Sequence, residues 1–181
     1  MKQGSYRIRW ENVVSRNVEE ARIDVERRDI FVSSDLLSDS MSYSIHFDVD
    51  WRLDDFELTA DGEVLLHCQR KMNGMWVDRI SKRILEEFKD FEYFDLNITP
   101  LTHIMATKRL DLAPGESQTL DVALFDVSAK SYRPVKQTYT RIDEATFLFQ
   151  DETEERKITV NQEGMITQEE GRFKLLDFQI W

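Results

Sequence analysis

A histidine and two aspartates on one strand face are the first residues whose types and spacing could do chemistry. In SYSIHFDVDW, the side chains of His46, Asp48 and Asp50 alternate with apolar ones and fall on one side of an extended strand. Imidazole and carboxylate oxygens bind divalent metals, and a histidine beside a carboxylate can transfer protons. Side chains two residues apart on a strand lie about 7 Å apart, however. This spacing favours a solvated outer face, and the sequence predicts neither a metal nor a cofactor.

The second candidate group surrounds a Thr-Pro step in FDLNITPLTHIMATKRLDL, residues 94–112. Pro100 has no backbone N–H to donate, so we expect it to end the strand after Thr99 and to turn Thr102 and His103 towards a concave face. His103 with a neighbouring carboxylate is a further place for acid–base chemistry. The sequence contains no nucleophile elbow and no glycine loop for phosphate.

Composition excludes several classes of function. The chain has 181 residues, 33% charged and 41% hydrophobic, which is typical of one globular domain. Acidic residues outnumber Lys and Arg by 35 to 24, and a net charge of −11 opposes binding to nucleic acid or to an anionic membrane surface. No apolar run approaches the roughly 20 residues that span a bilayer, and Arg7 and Arg9 interrupt any secretory signal. We therefore expect a cytoplasmic protein with no membrane span.

Alternation of apolar and polar residues predicts strands along nearly the whole chain. Tyr6, Ile8 and Trp10 should face inward from the first strand, and Tyr43, Ile45, Phe47, Val49 and Trp51 from a later one. Turn signals such as Asp61-Gly62 and Asn73-Gly74 separate the strands. Asn73-Gly74 is the sharpest of these, because Asn and Gly both tolerate the positive φ that a two-residue type I′ turn requires. Residues 102–112 are also predicted to be a strand.

One segment departs from the alternation. In RISKRILEEFKDF, residues 79–91, apolar side chains recur at helical spacing and predict the one helix, of about two to three turns. About a dozen strands without a linker predict a single all-β domain over residues 1–181, mainly antiparallel. Its one sheet should curl strongly or close like a barrel, because a flat sheet of this size leaves long edges exposed. A curled sheet has a concave face where a ligand can bind.

Taken in order, the motifs resemble those of the "putative glycolipid-binding" family, which has the so-called spoon fold. The resemblance extends from about Trp10 to Phe173 and rests on DVDWRL, NGMW, the 94–112 segment, VKQTYT and ITVNQEGMI. The matching residues are Asp48, Trp51, Arg52, Gly74, Trp76, Asp95, Thr99, Pro100, Thr102, Arg109, Leu110, Gln137, Tyr139, Thr140 and Gly164. His103 stands where the family usually has Asn.

The resemblance implies a non-catalytic protein that binds a glycolipid or another amphiphilic small molecule. The expected ligand-binding residues are Asp48, Trp51, Arg52, Trp76, Asp95, Asn97, Thr99, Thr102, His103, Arg109, Gln137 and Tyr139. Arg52 and Arg109 should either pair with a carboxylate such as Asp48 or Asp95 or hold the ligand. The whole set could equally form a buried polar network that stabilises the sheet.

Two other functions stay open at this point. One is a hydrolase or isomerase of a small polar metabolite that uses His46 or His103 with a neighbouring carboxylate. The other is a module whose exposed strand edges pair with a partner protein. The sequence does not decide the oligomeric state.

Overall fold

The computed structural model describes residues 2–181, and in this part of the chain it contains fourteen strands and one α-helix. The strands are β1 (Gly4–Asn12), β2 (Val18–Val25), β3 (Asp29–Leu36), β4 (Met41–Asp48), β5 (Leu53–Ala60), β6 (Glu63–Arg70), β7 (Trp76–Asp78), β8 (Tyr93–Leu96), β9 (Ser117–Asp126), β10 (Ser131–Arg141), β11 (Thr146–Gln150), β12 (Glu155–Val160), β13 (Ile166–Glu169) and β14 (Phe173–Ile180). The helix α1 spans His103–Arg109, and a one-turn 3₁₀ helix spans Glu86–Phe88. No helix within residues 2–181 has the length and apolar character needed to cross a bilayer.

All fourteen strands belong to one sheet with the order β7-β6-β5-β4-β3-β2-β1-β14-β13-β12-β11-β10-β9-β8. Each strand pairs antiparallel with its neighbours, except that β8 runs parallel to β9. The first and last strands pair with each other at the middle of the order, where Tyr6 lies opposite Ile180. The expected fold class, a single mainly antiparallel sheet with one short helix, is confirmed.

The sheet curls until its two edge strands face each other. Trp76 on β7 stacks on Phe94 of β8 with 6.2 Å between ring centroids, and the indole N–H of Trp76 donates to the carbonyl oxygen of Phe91 at 3.0 Å. β7 and β8 are not neighbours in the hydrogen-bonded strand order. Side chains, rather than a backbone ladder, therefore hold the two edges together.

Replacing Trp76 with Phe should lower the free energy of unfolding by about 2 kcal/mol. The smaller ring leaves a gap in the core and the Phe91 carbonyl without its indole donor, and both effects are destabilising. Urea unfolding followed by circular dichroism measures the loss. Trp181→Phe is the matched control, because Trp181 is 59% exposed; a loss equal to that of the control would show that this contact does not hold the edges together.

The predicted alternation is confirmed on β1 and on most of β4. Tyr6, Ile8 and Trp10 are buried on β1, as are Tyr43, Ile45 and Phe47 on β4. The strand was predicted to continue to Trp51, but β4 ends at Asp48. Val49 is exposed, and Trp51 has a φ of 60° in the turn to β5, where its buried ring packs on Phe47.

A two-residue type I′ turn joins β5 to β6 at Asp61-Gly62. Both residues have positive φ, and the strand ends on either side of them are paired. The prediction of such a turn at Asn73-Gly74 is wrong. Five residues, 71–75, separate β6 from β7, and Gly74 is the one with positive φ. The Lys71 N–H donates to the carbonyl oxygen of Met75, which closes this longer loop.

The predicted position of the helix is also wrong. Residues 79–91 form turns and the 3₁₀ helix, and Ile80 and Ile84 are exposed, so their helical spacing does not build a buried stripe. The α-helix instead begins at His103, in a segment predicted to be a strand. Its first four residues are all buried, and a helical turn that is buried on all sides lacks the amphipathic period that would mark it in a sequence.

The interior of the curled sheet is filled by the protein's own side chains. The largest fully buried ones include Trp10, Tyr139, Phe147 and Phe149. Trp10 donates its indole N–H to the carbonyl oxygen of Ile166 at 2.7 Å. Space for a ligand is therefore found beside the core and not at its centre.

Candidate functional site

A polar cavity of about 200 Å³ opens where β8 leads into α1. We call it the polar cavity, and its lining consists of Asp95, Leu96, Asn97, Thr99, His103, Leu124, Asp126, Arg133, Gln137, Asp151, Thr153, Glu154, Arg156 and Arg172. Three guanidinium groups and four carboxylates are among them. The cavity thus offers many hydrogen-bond donors and acceptors without a large excess of either charge.

A chain of hydrogen bonds connects the predicted residues behind this cavity. The hydroxyl of Tyr139 donates to Oε1 of Gln137 at 3.2 Å, and Nε2 of Gln137 donates to Oδ2 of Asp95 at 2.6 Å. The Tyr139 oxygen lies 2.7 Å from Nδ1 of His103. When the Tyr139 hydroxyl donates to Gln137, Nδ1 of His103 is the donor in this contact. His103, Tyr139, Gln137 and Asp95 therefore form one hydrogen-bonded series.

Asp95 fixes the junction between β8 and α1. Its Oδ1 accepts hydrogen bonds from the backbone N–H of Leu96 at 2.8 Å and from the hydroxyl of Thr102 at 2.5 Å. Thr102 immediately precedes the helix, and Pro100 lies in the turn before it. The prediction that Pro100 ends the strand after Thr99 is wrong, because β8 already ends at Leu96. Thr102 and His103 are buried at the start of a helix and are not part of a bent strand.

A buried carboxylate supports the other side of His103. Oε1 of Glu169 lies 3.6 Å from Nε2 of His103, 2.5 Å from Nε of Arg156 and 3.4 Å from Nη1 of Arg172. Burial pushes the pKa of Glu169 upward, but His103, Arg172 and Arg156 outweigh it and leave the pKa below its ordinary value. Glu169 is therefore ionised at neutral pH, and its charge keeps the guanidinium of Arg156 in place under the cavity.

A second buried carboxyl group lies on β2. Oε1 of Glu19 accepts hydrogen bonds from the hydroxyls of Ser34 and Thr99, both at 2.9 Å, and from that of Tyr43. Burial is the largest influence on this group and raises the pKa of Glu19 to about 7, although the three hydroxyls act against it. Thr99 thus connects Glu19 to the segment that lines the polar cavity.

Glu19 also lines a second cavity of about 210 Å³, which we call the apolar groove. Its lining consists of Asn12, Ser15, Asn17, Val18, Glu19, Leu36, Asp39, Asn97, Ile98 and Phe173. Asn97 lines both cavities. Nη2 of Arg172 donates to the Asn97 carbonyl oxygen at 2.6 Å, so Asn97 and the Arg172–Phe173 pair form the wall between them.

Five of the predicted residues lie away from this site. Asp48, Trp51 and Arg52 form the β4–β5 turn, where Oδ1 of Asp48 accepts from the backbone N–H of Arg52 at 2.9 Å. Trp76 holds the sheet edges together. Arg109 pairs with Glu92 and lies 4.5 Å from the centroid of the Tyr93 ring.

The expected partners of the two arginines need correction. The Arg52 guanidinium lies 3.4 Å from Asp50, and that of Arg109 contacts Glu92. Neither pairs through its side chain with Asp48 or Asp95, because the turn presents Asp50 to Arg52 and α1 points Arg109 to the segment before β8.

His46 lies on the outer face of the sheet. Its Nε2 is 2.8 Å from Oδ1 of Asp29, and its ring stacks on Phe31 with 4.7 Å between centroids. Within residues 2–181 no three His, Cys, Asp or Glu side chains are grouped so as to hold a metal ion. His103 is the histidine that reaches the polar cavity.

The sequence interpretation missed four charged residues of the site: Glu19, Arg156, Glu169 and Arg172. Two of them carried a visible signal. Glu19 shares an inward strand face with Ala21 and Ile23, and Arg156 shares one with Ile158, so each is a charge at an apolar position. Their partners depend on how distant strands pair, which no local pattern shows.

Comparisons with known proteins agree with this fold. The profile of a family described as "Putative glycolipid-binding" matches residues 7–174. A crystal structure of a DUF1089 family protein from Pseudomonas aeruginosa is similar in fold, with a TM-score of 0.67 and 22% sequence identity, and the match covers 97% of this chain and 94% of that one. A search of curated proteins found no match. Since the family profile matches most of its length, the chain belongs to the "Putative glycolipid-binding" family.

Proposed function

We propose that the protein binds an amphiphilic small molecule of the glycolipid class, without catalysis, and that the polyhydroxylated headgroup occupies the polar cavity. The balance of the cavity lining is the observation that carries this proposal. Sugar hydroxyls both donate and accept hydrogen bonds, and the guanidinium, carboxylate and amide groups of the cavity offer both partners without strongly favouring an ion.

Within this proposal the predicted residues divide into three groups. Asp95, Asn97, Thr99, His103 and Gln137 line the cavity and contact the headgroup. Thr102 and Tyr139 hold these side chains in position from behind, through the bonds described above. The residues of the β4–β5 turn and of the sheet edges contribute to the frame of the site.

The size of the cavity limits which part of the ligand it holds. About 200 Å³ is less than the roughly 300–1,000 Å³ of a site for a whole drug-sized ligand. Because aromatic side chains fill the interior of the sheet, an acyl chain does not enter the core. The polar cavity therefore accommodates a headgroup of about one sugar ring, and the rest of the ligand lies elsewhere.

Arg133 offers the sharpest test of headgroup binding. It lies on β10, on the same strand face as Gln137, lines the cavity and makes no ion pair with any residue in the 2–181 range. In isothermal titration with n-octyl β-D-glucoside, Arg133→Ala should bind at least about tenfold more weakly than the wild type, the loss expected for one hydrogen bond from a charged group.

Lys136→Ala is the matched control, because Lys136 is exposed on the other face of β10. It should bind like the wild type. Equal affinities of the wild type and Arg133→Ala, or a wild type that does not bind the glucoside at all, would contradict headgroup binding in this cavity. Native mass spectrometry of the protein purified without detergent should also show a retained amphiphile.

One observation favours the alternative of a hydrolase or isomerase. His103 lines the polar cavity and has the Glu169 carboxylate 3.6 Å from Nε2, which is an arrangement used in acid–base catalysis. The two functions differ in what happens to the probe. Under binding alone the glucoside is recovered intact after incubation, whereas a hydrolase would release glucose and octanol.

A further inference from the structure

Glu19, which lines the apolar groove, has an unsatisfied buried oxygen. Glu19 is 4% exposed, and Oε1 receives all three of its hydroxyl donors. Oε2 is fully buried and has no hydrogen-bond partner among residues 2–181. A buried carboxylate oxygen without a hydrogen-bond donor lowers the stability of the folded state. Buried polar atoms in native proteins therefore have a partner as a rule.

The other groove residues do not supply that partner. No Lys or Arg lines the groove, and the second carboxylate there, Asp39, accepts from Nδ2 of Asn17 at 2.6 Å. Val18, Leu36, Ile98 and Phe173 make up the apolar part of the lining. A molecule that satisfies this groove must therefore combine a hydrogen-bond donor with an apolar segment.

The rim of the groove continues this apolar character. Val14, next to Ser15, is 78% exposed, and Leu37, next to Leu36, is 58% exposed. The N–H of Leu37 donates to the carbonyl oxygen of Val18 at 2.9 Å, which places the β3–β4 turn against the groove. An apolar chain leaving the groove would pass over these two exposed side chains.

We propose that the apolar groove binds the chain side of the same amphiphile, and that Oε2 of Glu19 accepts a hydrogen bond from an amide N–H or hydroxyl at the junction between headgroup and chain. This inference rests on the proposed function, since the headgroup lies in the polar cavity across the Asn97 wall. It narrows the ligand class to amphiphiles that carry a donor at the junction, as opposed to simple esters and ethers.

Two probes that differ in one atom test this inference. N-octanoyl-β-D-glucosylamine has an amide N–H at the junction, where 1-O-octanoyl-β-D-glucose has an ester oxygen. Isothermal titration should be done at pH 8, because burial raises the pKa of Glu19 to about 7 and the carboxylate is then ionised. We expect the wild type to bind the amide at least about tenfold more tightly than the ester.

Glu19→Gln is the variant that isolates the free oxygen. Its carboxamide oxygen can still accept from Ser34, Tyr43 and Thr99, while its NH₂ group replaces Oε2 with a donor. The variant should bind the amide at least about tenfold more weakly and should bind the ester at least as tightly as the wild type does, because its NH₂ group can donate to the ester oxygen. Arg133→Ala should weaken the binding of both probes by the same factor, because it acts on the headgroup.

The outcomes separate this inference from the function on which it rests. If the wild type binds both probes equally and Arg133→Ala weakens both, headgroup binding stands and the role of Glu19 is refuted. If Glu19→Gln binds the amide as tightly as the wild type does, the role of Oε2 as an acceptor is refuted. If the wild type binds neither probe, the proposed function and this inference both fail. The comparison of the two probes on the wild-type protein does not depend on whether any variant folds.

Discussion

Replacing Arg156 with Met is expected to lower the free energy of unfolding by about 3–5 kcal/mol, the usual cost of removing one partner from a buried ion pair. Arg156 pairs with Glu169, which is 1% exposed, and with Glu154. Its guanidinium also lies 4.5 Å from the centroid of the Phe149 ring. Without Arg156 the Glu169 carboxylate stays buried and loses its nearest cation. Urea unfolding followed by tryptophan fluorescence measures the loss.

Two further variants show whether the charge of Glu169 is the cause. Lys157→Met, at the exposed neighbouring position on β12, should change stability by less than about 0.5 kcal/mol. The double variant Arg156→Met with Glu169→Gln should recover a large part of the loss, because no unpaired charge then remains in the core. If Arg156→Met alone is as stable as the wild type, the ion pair does not support the polar cavity.

The second large effect is a loss of stability with rising pH that originates at Glu19. Burial raises the pKa of Glu19 from its ordinary 4.5 to about 7 in the folded protein. The folded state therefore holds this proton more tightly than the unfolded state does. This contribution to stability is complete below about pH 4.5 and is lost as pH rises through about 7, which amounts to about 3 kcal/mol at roughly 1.4 kcal/mol per pH unit.

Glu19→Gln isolates this effect because a carboxamide does not titrate. The free energy of unfolding of the wild type minus that of Glu19→Gln should fall by about 2.5 kcal/mol between pH 5 and pH 8, since part of the loss already occurs between pH 4 and pH 5. The surrounding groups, Tyr43, Ser34 and Thr99, stay uncharged over this range: burial and the nearby Glu19 raise the pKa of Tyr43 well above its ordinary value. A difference that stays constant with pH would show that Glu19 is solvated or has an additional donor.

The strands were predictable because half-buried antiparallel strands alternate, as Tyr6, Ile8 and Trp10 do on β1. The helix was not predictable by the same rule. His103, Ile104, Met105 and Ala106 are buried in succession, so the first turn of α1 has no exposed polar face to reveal its period. Conversely, Ile80 and Ile84 have helical spacing but are exposed. They do not pack on the core, and residues 79–91 form turns and a 3₁₀ helix.

The candidate site was predictable in part. The resemblance to the family selected Asp95, Gln137 and Tyr139, which the structure joins through hydrogen bonds. It could not select Arg156 and Glu169, because their contact depends on the pairing of β12 with β13, where the register shifts between Thr159 and Val160. The pairing of strands distant in sequence decides which buried charges meet, and alternation alone contains no information about it.

Nuclear magnetic resonance tests the central claim most directly, with ¹⁵N-labelled protein titrated with n-octyl β-D-glucoside. Headgroup binding in the polar cavity predicts that the backbone amide signals of Asn97, His103 and Gln137 shift progressively and saturate. Signals of the outer face, such as those of Lys136 and His46, should stay in place. Shifts centred on the outer face, or no saturable shift around the polar cavity, would contradict the account.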